Sequence, residues 1–399
     1  MLADDWWYPV SRKPLAIVGG VIANKYRNGG AVWTRLNWVL GFRQLGFDVI
    51  FIEQIERDNC LDTQGRVCTF ERSSNLEYFK KVMQEFGLSE SAALVYENGQ
   101  ECHGMSLREI HDLANDADLL INITGHLRLP EIMEGPACKV YIDLDPGYTQ
   151  LWHQAGLLNS HFLAHDKYFT IGEAIGTSEC SIPMGDIPWQ TTRQPVVLGL
   201  WPVSTRGDPE RFTTIGSWRD DYGTLQQGGR RLGVKAHEFR RFIEFPGLVA
   251  QTCEIALNLY SEDKADLDLL HEQGWQVKDP KLVVPDPITF RRYVQESGAE
   301  FSVAKEIYTV TNGGWFSDRT VRYLASGKPA LVQDTGFSKT YPVGDGLLTF
   351  DSMSSAVAGA GEISRNYAAH CQAARQMAEQ FFDSGKVLGN LAERIGITP

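Results

Sequence analysis

No stretch of this chain approaches the ~18 consecutive apolar residues needed to cross a bilayer, so no membrane-spanning segment is expected. Positive charge is also in short supply. The formal net charge of −12 argues against a nucleic-acid or anionic-membrane partner, and any phosphate site has to be a local pocket in an acidic body. Cysteines in C-x-x-C pairs are missing. The seven thiols (Cys60, Cys68, Cys102, Cys138, Cys180, Cys253, Cys371) are scattered and odd in number, which points to reduced side chains in a cytoplasm rather than disulfides or a structural zinc. The opening MLADDWWYPV lacks the basic and apolar regions of a signal peptide. G-x-G-x-x-G is absent too: Gly19-Gly20 and Gly29-Gly30 have the wrong spacing, which counts against a nicotinamide dinucleotide even though Glu53 stands where a ribose-binding acid would.

What is present is α/β alternation on a soluble globular composition, 43% hydrophobic and 22% charged over 399 residues, a length that favours two domains. PLAIVGG (14–20) reads as a buried strand, 31–45 as a helix and DVIFIE (48–53) as a second strand, a β-loop-α-β unit that implies a parallel sheet. A helix at 106–117 and strands at 118–125, 139–145, 168–175 and 195–202 continue this half. VSTRGDPER (203–211) is a polar linker. A second series runs through strand 212–216, a helix near 235–243, strand 253–259, helices 266–274 and 288–297, and a strand near 300–302. Helices follow from about Met353. The expected fold is two Rossmann-like domains whose parallel sheets face each other across a cleft. Residues 1–205 are expected to form the first domain and 206–375 the second, with the helical 376–399 packing back on the first domain.

NGGWFSDRTVRYLASGKPALVQDTGF (312–337) is the most informative segment. Gly313 and Gly314 permit a tight turn, Ser317 or Asp318 can cap a helix over 319–326, and Gly327 with Pro329 ends it before the strand at 330–332. Unpaired N–H groups at such a helix start suit a phosphate. Arg319 in the first turn opposes the helix dipole unless an anion compensates it, which makes it a candidate diphosphate ligand, with Lys305 as a second cation.

The order of GGWFS loop, helix, ASGKP and apolar strand resembles the sugar-nucleotide glycosyltransferases of the GT-B fold, and NGGAVWTRLNWVLGFRQLGFDVIFIE (28–53) is similar to their opening. The ASGKP ending matches the retaining members, but their two glutamates fall here on Gly314 and Arg322. Gly314-Trp315-Phe316-Ser317 matches the natural-product members, whose phosphate-binding histidine falls on Asn312. The resemblance implies transfer of a sugar from a nucleotide diphosphate sugar, UDP- or dTDP-linked, to a small-molecule acceptor, with no other cofactor. Gly313, Gly314, Ser317, Asp318, Arg319 and Lys305 would hold the diphosphate, Asp334, Thr335 and Gly336 the donor sugar, and the loop with Gly29 and Gly30 the acceptor. The same resemblance makes residues 1–205 the acceptor side and 206–375 the donor side.

His126, at the end of LLINITGH, is the first candidate for a base, since a near-neutral imidazole suits that task. Asp143 and Asp145 compete for it, and His165 is weaker. Asp143-Leu144-Asp145 also has the local pattern of a divalent-metal site, but a cradle of helix amides and arginine makes a metal unnecessary. The alternatives are an epimerase of the same fold, a non-catalytic sugar-nucleotide-binding protein and an NAD-dependent oxidoreductase.

Overall fold

PLAIVGG forms β1 (Leu15–Gly19) near the middle of an eight-stranded sheet. The structure, a computed structural model, describes residues 12–219, 225–227, 229–232 and 235–398. The first sheet continues with β2 (Asp48–Ile55), β3 (Ala92–Tyr96), β4 (Glu101–His103), β5 (Leu119–Ile123), β6 (Cys138–Asp143), β7 (Lys167–Thr170) and β8 (Trp189–Thr191). Its order is β4-β3-β2-β1-β5-β6-β7-β8, parallel except for the β3–β4 pair. Every residue of β5 is buried, because helices cover both faces of such a sheet and favour apolar runs, here interrupted only by Asn122, which bonds the Leu127 backbone.

The second half begins with β9 (Arg211–Ser217), a hairpin of β10 (Leu225–Gln227) and β11 (Arg230–Leu232), and β12 (Thr252–Asn258). It continues through β13 (Gln276–Lys278), β14 (Ala299–Ser302), β15 (Ala330–Gln333) and β16 (Leu347–Phe350). The six-stranded sheet β13-β12-β9-β14-β15-β16 is parallel throughout. In both sheets the first strand lies between strands reached in opposite directions, the switch point where α/β folds open a crevice.

One apolar run is not the strand it was expected to be. PVVLGLWP (195–202) has prolines at both ends, which remove ladder donors, and only Val196 pairs, in a single bridge with Asp383. The edge place goes to β8. The expected strand 168–175 likewise stops at Thr170, and Gly172 onward turns toward the second half.

The helix Gly29–Gln44 buries Val32, Trp33, Leu36, Trp38, Val39 and Phe42, so it is enclosed on nearly all sides. The terminal helix Ser384–Ile395 packs against it at Gly41, where a Cβ would sit 2.6 Å from Leu388 Cδ1. One hydrophobic core runs through both halves, joining Trp33, Phe42 and Trp201 to Phe316, Tyr323 and Leu324. Another lies on the far face of the second sheet, where Phe245 stacks on Phe301 at 4.0 Å between ring centres. Trp33, Trp38, Trp201 and Trp218 are among the largest fully buried side chains, so much of the tryptophan supply fills cores. No helix among the described residues is long and apolar enough to cross a membrane.

Candidate functional site

A cavity of about 750 Å³ opens between the halves. One wall is the first-half loop and helix start from Asn24 to Thr34. The other is built from the carboxyl ends of β9 (Ile215, Gly216, Ser217) and β12 (Asn258, Tyr260), the segment Pro280–Val284, and Asp318, Arg319 and Arg322. Among the described lining residues six are cationic (Lys25, Arg27, Arg219, Lys281, Arg319, Arg322), one is acidic (Asp318) and none is tryptophan.

Loop 22–24 is held by Glu53. The carboxylate is fully buried and accepts from the backbone N–H groups of Ile22, Ala23 and Asn24, each at 2.8 Å, and from Asn24 Nδ2. Burial raises its pKa against the pull of these donors. Glu53 therefore shapes the first-half wall from behind.

Arg319 does reach the cleft, but its guanidinium is already committed. Nε donates to Glu300 Oε1 at 2.6 Å, Nη1 to the Ile215 carbonyl and Nη2 to Ser302 Oγ, both at 2.5 Å. Burial opposes its charge and Glu300 outweighs burial, so the pKa is raised. The anion that the sequence demanded for Arg319 is thus supplied from β14. A cation that sequence reasoning missed lies close by: Lys235 rests against Gly216 and donates to the Val303 carbonyl at 2.6 Å. Burial, then Arg319 and Lys305, push its amine down to about 7. No local motif marks Lys235; only the adjacency of β9 and β14 brings it here.

The glycine turn faces elsewhere. Gly313 accepts from the Ala174 N–H at 3.1 Å, Gly314 donates to the Thr335 carbonyl at 2.9 Å, and Trp315 bridges Gly172. Gly314 has φ +71°, and a Cβ there would lie 2.7 Å from the Ala174 nitrogen. The expected cradle of Gly313 and Gly314 amides is therefore a clamp between the halves, because close approach of peptide and of phosphate make the same demand on sequence. Ser317 caps the Asp318–Ala325 helix by accepting from the Arg319 N–H at 3.2 Å. Asp318 accepts from Thr34 Oγ1 and from Arg322 Nη2; burial alone would raise its pKa, but Arg322 and Thr34 bring it below the ordinary value. Lys305 lies 3.9 Å from Asp145 and over the Tyr148 ring, away from the cavity lining.

Asp143 is fully buried and accepts from Thr149 Oγ1, Gln150 Nε2 and Thr170 Oγ1 at 2.7–2.8 Å, tying β6 to β7 and the next helix. Its surroundings give it a structural task and leave no approach for an acceptor hydroxyl. Asp145 accepts from Tyr308 across the halves at 2.8 Å. His165 hydrogen-bonds Asn122 at 3.0 Å inside the first half. Burial, then Arg35, Lys25 and Arg128, lower the His126 imidazole to about 3, too weak a base for proton abstraction from a hydroxyl at neutral pH. Asp334 closes on Gly336 N–H and Ser338, and Thr335 Oγ1 donates to the Trp315 carbonyl, so the polar groups of this turn are engaged within it and with the glycine turn. Gly29 and Gly30 admit the second half closely: added Cβ atoms would lie 2.2 Å from the Asp286 carbonyl oxygen and 2.9 Å from Phe290 Cε2. Among the described residues no cluster of three or more His, Cys, Asp or Glu side chains is placed to hold a metal ion.

No family model and no curated protein matches the sequence. Solved structures do match the fold. An alpha-glucosyltransferase (AGT) in complex with UDP superposes with TM-score 0.59 at 12% identity, covering 96% of this chain and 100% of that one. The fold is GT-B. Anabaena Alr3699/HepE in complex with UDP and glucose gives 0.55 at 10% identity, and sucrose-phosphate synthase (tll1590) from Thermosynechococcus elongatus 0.51 at 9%, each over 96% of this chain and 99% of the other. The expected GT-B architecture of two Rossmann-like halves with C-terminal helices is thus observed across nearly the whole chain.

Proposed function

We propose that the protein transfers a hexosyl group from a nucleotide diphosphate sugar to a small-molecule acceptor without a metal ion. The observation that carries this reading is the pairing of two cations, Arg319 and Lys235, with one carboxylate, Glu300, where β9 and β14 adjoin. Such a site has charge to spare for a diphosphate. Solved structures of this fold include an alpha-glucosyltransferase bound to UDP and HepE bound to UDP and glucose or to UDP-glucose, which agrees with a uridine nucleotide as donor.

Bond breaking at the anomeric carbon leaves growing negative charge on the departing diphosphate. Preorganised cations stabilise that charge more in the transition state than in the ground state, which is the definition of a catalytic contribution. Lys235 can take up a proton as the anion arrives, because the added negative charge offsets the burial and the repulsion that depress its pKa. Tyr260, Pro280 and Lys281 would flank the nucleoside, and the Glu53-held loop the acceptor. A neutral His126 would hydrogen-bond a sugar hydroxyl rather than act as base.

A thermal-shift screen of nucleotides and nucleotide sugars tests the reading, since a ligand stabilises the state it binds. UDP or a UDP-sugar should raise the melting temperature, and a screen in which no nucleoside diphosphate does so would remove the donor site. Release of UDP only in the presence of acceptor favours transfer. An isomerised donor formed without acceptor would favour the epimerase.

A further inference from the structure

A second cavity, of about 340 Å³, lies where the β8 edge of the first sheet meets the C-terminal helices, and it shares no lining residue with the cleft. Among its described lining residues three are cationic (Arg193, Lys386, Arg394) and only Glu173 is acidic. Both oxygens of Glu173 are engaged, Oε1 by Arg193 Nε at 2.9 Å and Oε2 by the Tyr341 hydroxyl. Lys386 and Arg394 meet neutral acceptors alone. Lys386 Nζ donates to the Glu379 carbonyl at 2.8 Å. Arg394 donates to the Thr191 carbonyl at 2.8 Å and to Gln190 Oε1 at 2.9 Å, with its guanidinium 4.8 Å from the centre of the Phe169 ring. Arg193 lies over the rings of Tyr341 and Phe381.

These contacts fix three positive charges around one hollow, so a bound anion would not have to order the side chains itself. In a chain of net charge −12, that local excess is what an anion would relieve. Lys386, Arg394 and the neutral amide of Asn390, one turn beyond Lys386, remain exposed at the cavity and open to a ligand. We propose that this cavity is an anion site separate from the cleft, taking a small phosphate monoester whose phosphate is held by Arg394, Lys386 and Arg193. Guanidinium forks match phosphate oxygens, and the volume is that of a pocket for a small molecule. Glu173 stands between Gly172 and Ala174, which clamp the second half at Trp315 and Gly313. An occupant that draws on Arg193 is therefore placed to act on the clamp without entering the cleft.

Calorimetric titration of the full chain with glycerol 3-phosphate at constant ionic strength tests the assignment. Binding should be saturable, and Lys386→Gln/Arg394→Gln should weaken it about tenfold or more, as loss of charge-assisted hydrogen bonds requires. Arg394 also ties its helix to β8, so the exposed Asn390→Asp serves as a second variant. It sets a competing carboxylate at the cavity and should weaken binding with the melting temperature retained. Lys235→Met, which alters the cleft, should leave binding unchanged, and that result stands whether or not UDP binds. Absence of binding, unchanged affinity in both tail variants, or loss in Lys235→Met instead would overturn the proposal. Tighter binding of inorganic phosphate or of succinate than of glycerol 3-phosphate would overturn it too, since the occupant would then not be a phosphate monoester.

Discussion

Arg322 Nη2, in the second half, lies 3.0 Å from Thr34 Oγ1 in the first, and both side chains meet the Asp318 carboxylate. Arg322 is almost fully buried and its Nε has no hydrogen-bond partner, so Asp318 is what makes its charge tolerable. Asp318→Ala should cost about 3 kcal/mol of stability, the penalty for stranding a buried charge. Asp318→Ala/Arg322→Met should recover much of the loss, because a volume-matched apolar pair needs no counter-charge. Urea unfolding of the three proteins measures this, and equal stabilities for both variants would show that the ion pair is not the relevant contact.

Lys235 offers a cleaner probe of donor binding than Arg319, whose removal would leave Glu300 buried and unpaired. Lys235→Met should weaken UDP by roughly 1.5–3 kcal/mol, with little change in melting temperature. Calorimetry with UDP settles it.

The same amine predicts a pH dependence of binding. At about 7 in the unliganded protein, Lys235 is charged below pH 7 and increasingly neutral above it. An anion raises its pKa, so UDP binding takes up a proton above pH 7 and affinity falls as pH rises from 7 toward 9. Titrations at pH 8 in buffers of different ionisation enthalpy should show that uptake, and Lys235→Met should abolish it.

His126 bears on stability in acid. Its folded pKa of about 3 lies below the ~6.5 of an unfolded histidine. The neutral form is therefore the folded one. Its stability is intact above pH ~6.5 and is lost as pH falls toward 3, because the unfolded chain binds the proton first. His126→Asn should flatten the stability profile across that window; an unchanged slope would place the imidazole in open solvent.

Gly314→Ala combines a φ of +71° with a Cβ 2.7 Å from the Ala174 nitrogen. It should cost about 1–3 kcal/mol from backbone strain alone and pull the clamp apart. Faster proteolysis within 172–181 would report the opening.

The paired βαβ halves were legible because strands covered on both faces are largely apolar, as 15–19, 49–52 and 119–123 show. Short or half-covered elements were not legible: β4, β8 and the β10–β11 hairpin have three residues per strand, too few for a period. At the site, the sequence singled out side chains without showing which groups meet them. Arg319 did need an anion, but Glu300 could not be assigned to it without the pairing of β14 with β9. Gly313 and Gly314 did mark a close approach, and the approaching group was the backbone at 172–174. Asp143 looked available because sequence does not show Thr149, Gln150 and Thr170 closing around it.

The continuous apolar interior shared by the two halves has a consequence for how the molecule melts. Trp33 and Phe316 come from opposite ends of the chain yet belong to one packed body, so neither half can lose its order while the other keeps its own. Heating should produce a single calorimetric transition, and dissection near residue 205 should yield two insoluble fragments rather than a working nucleotide-binding module.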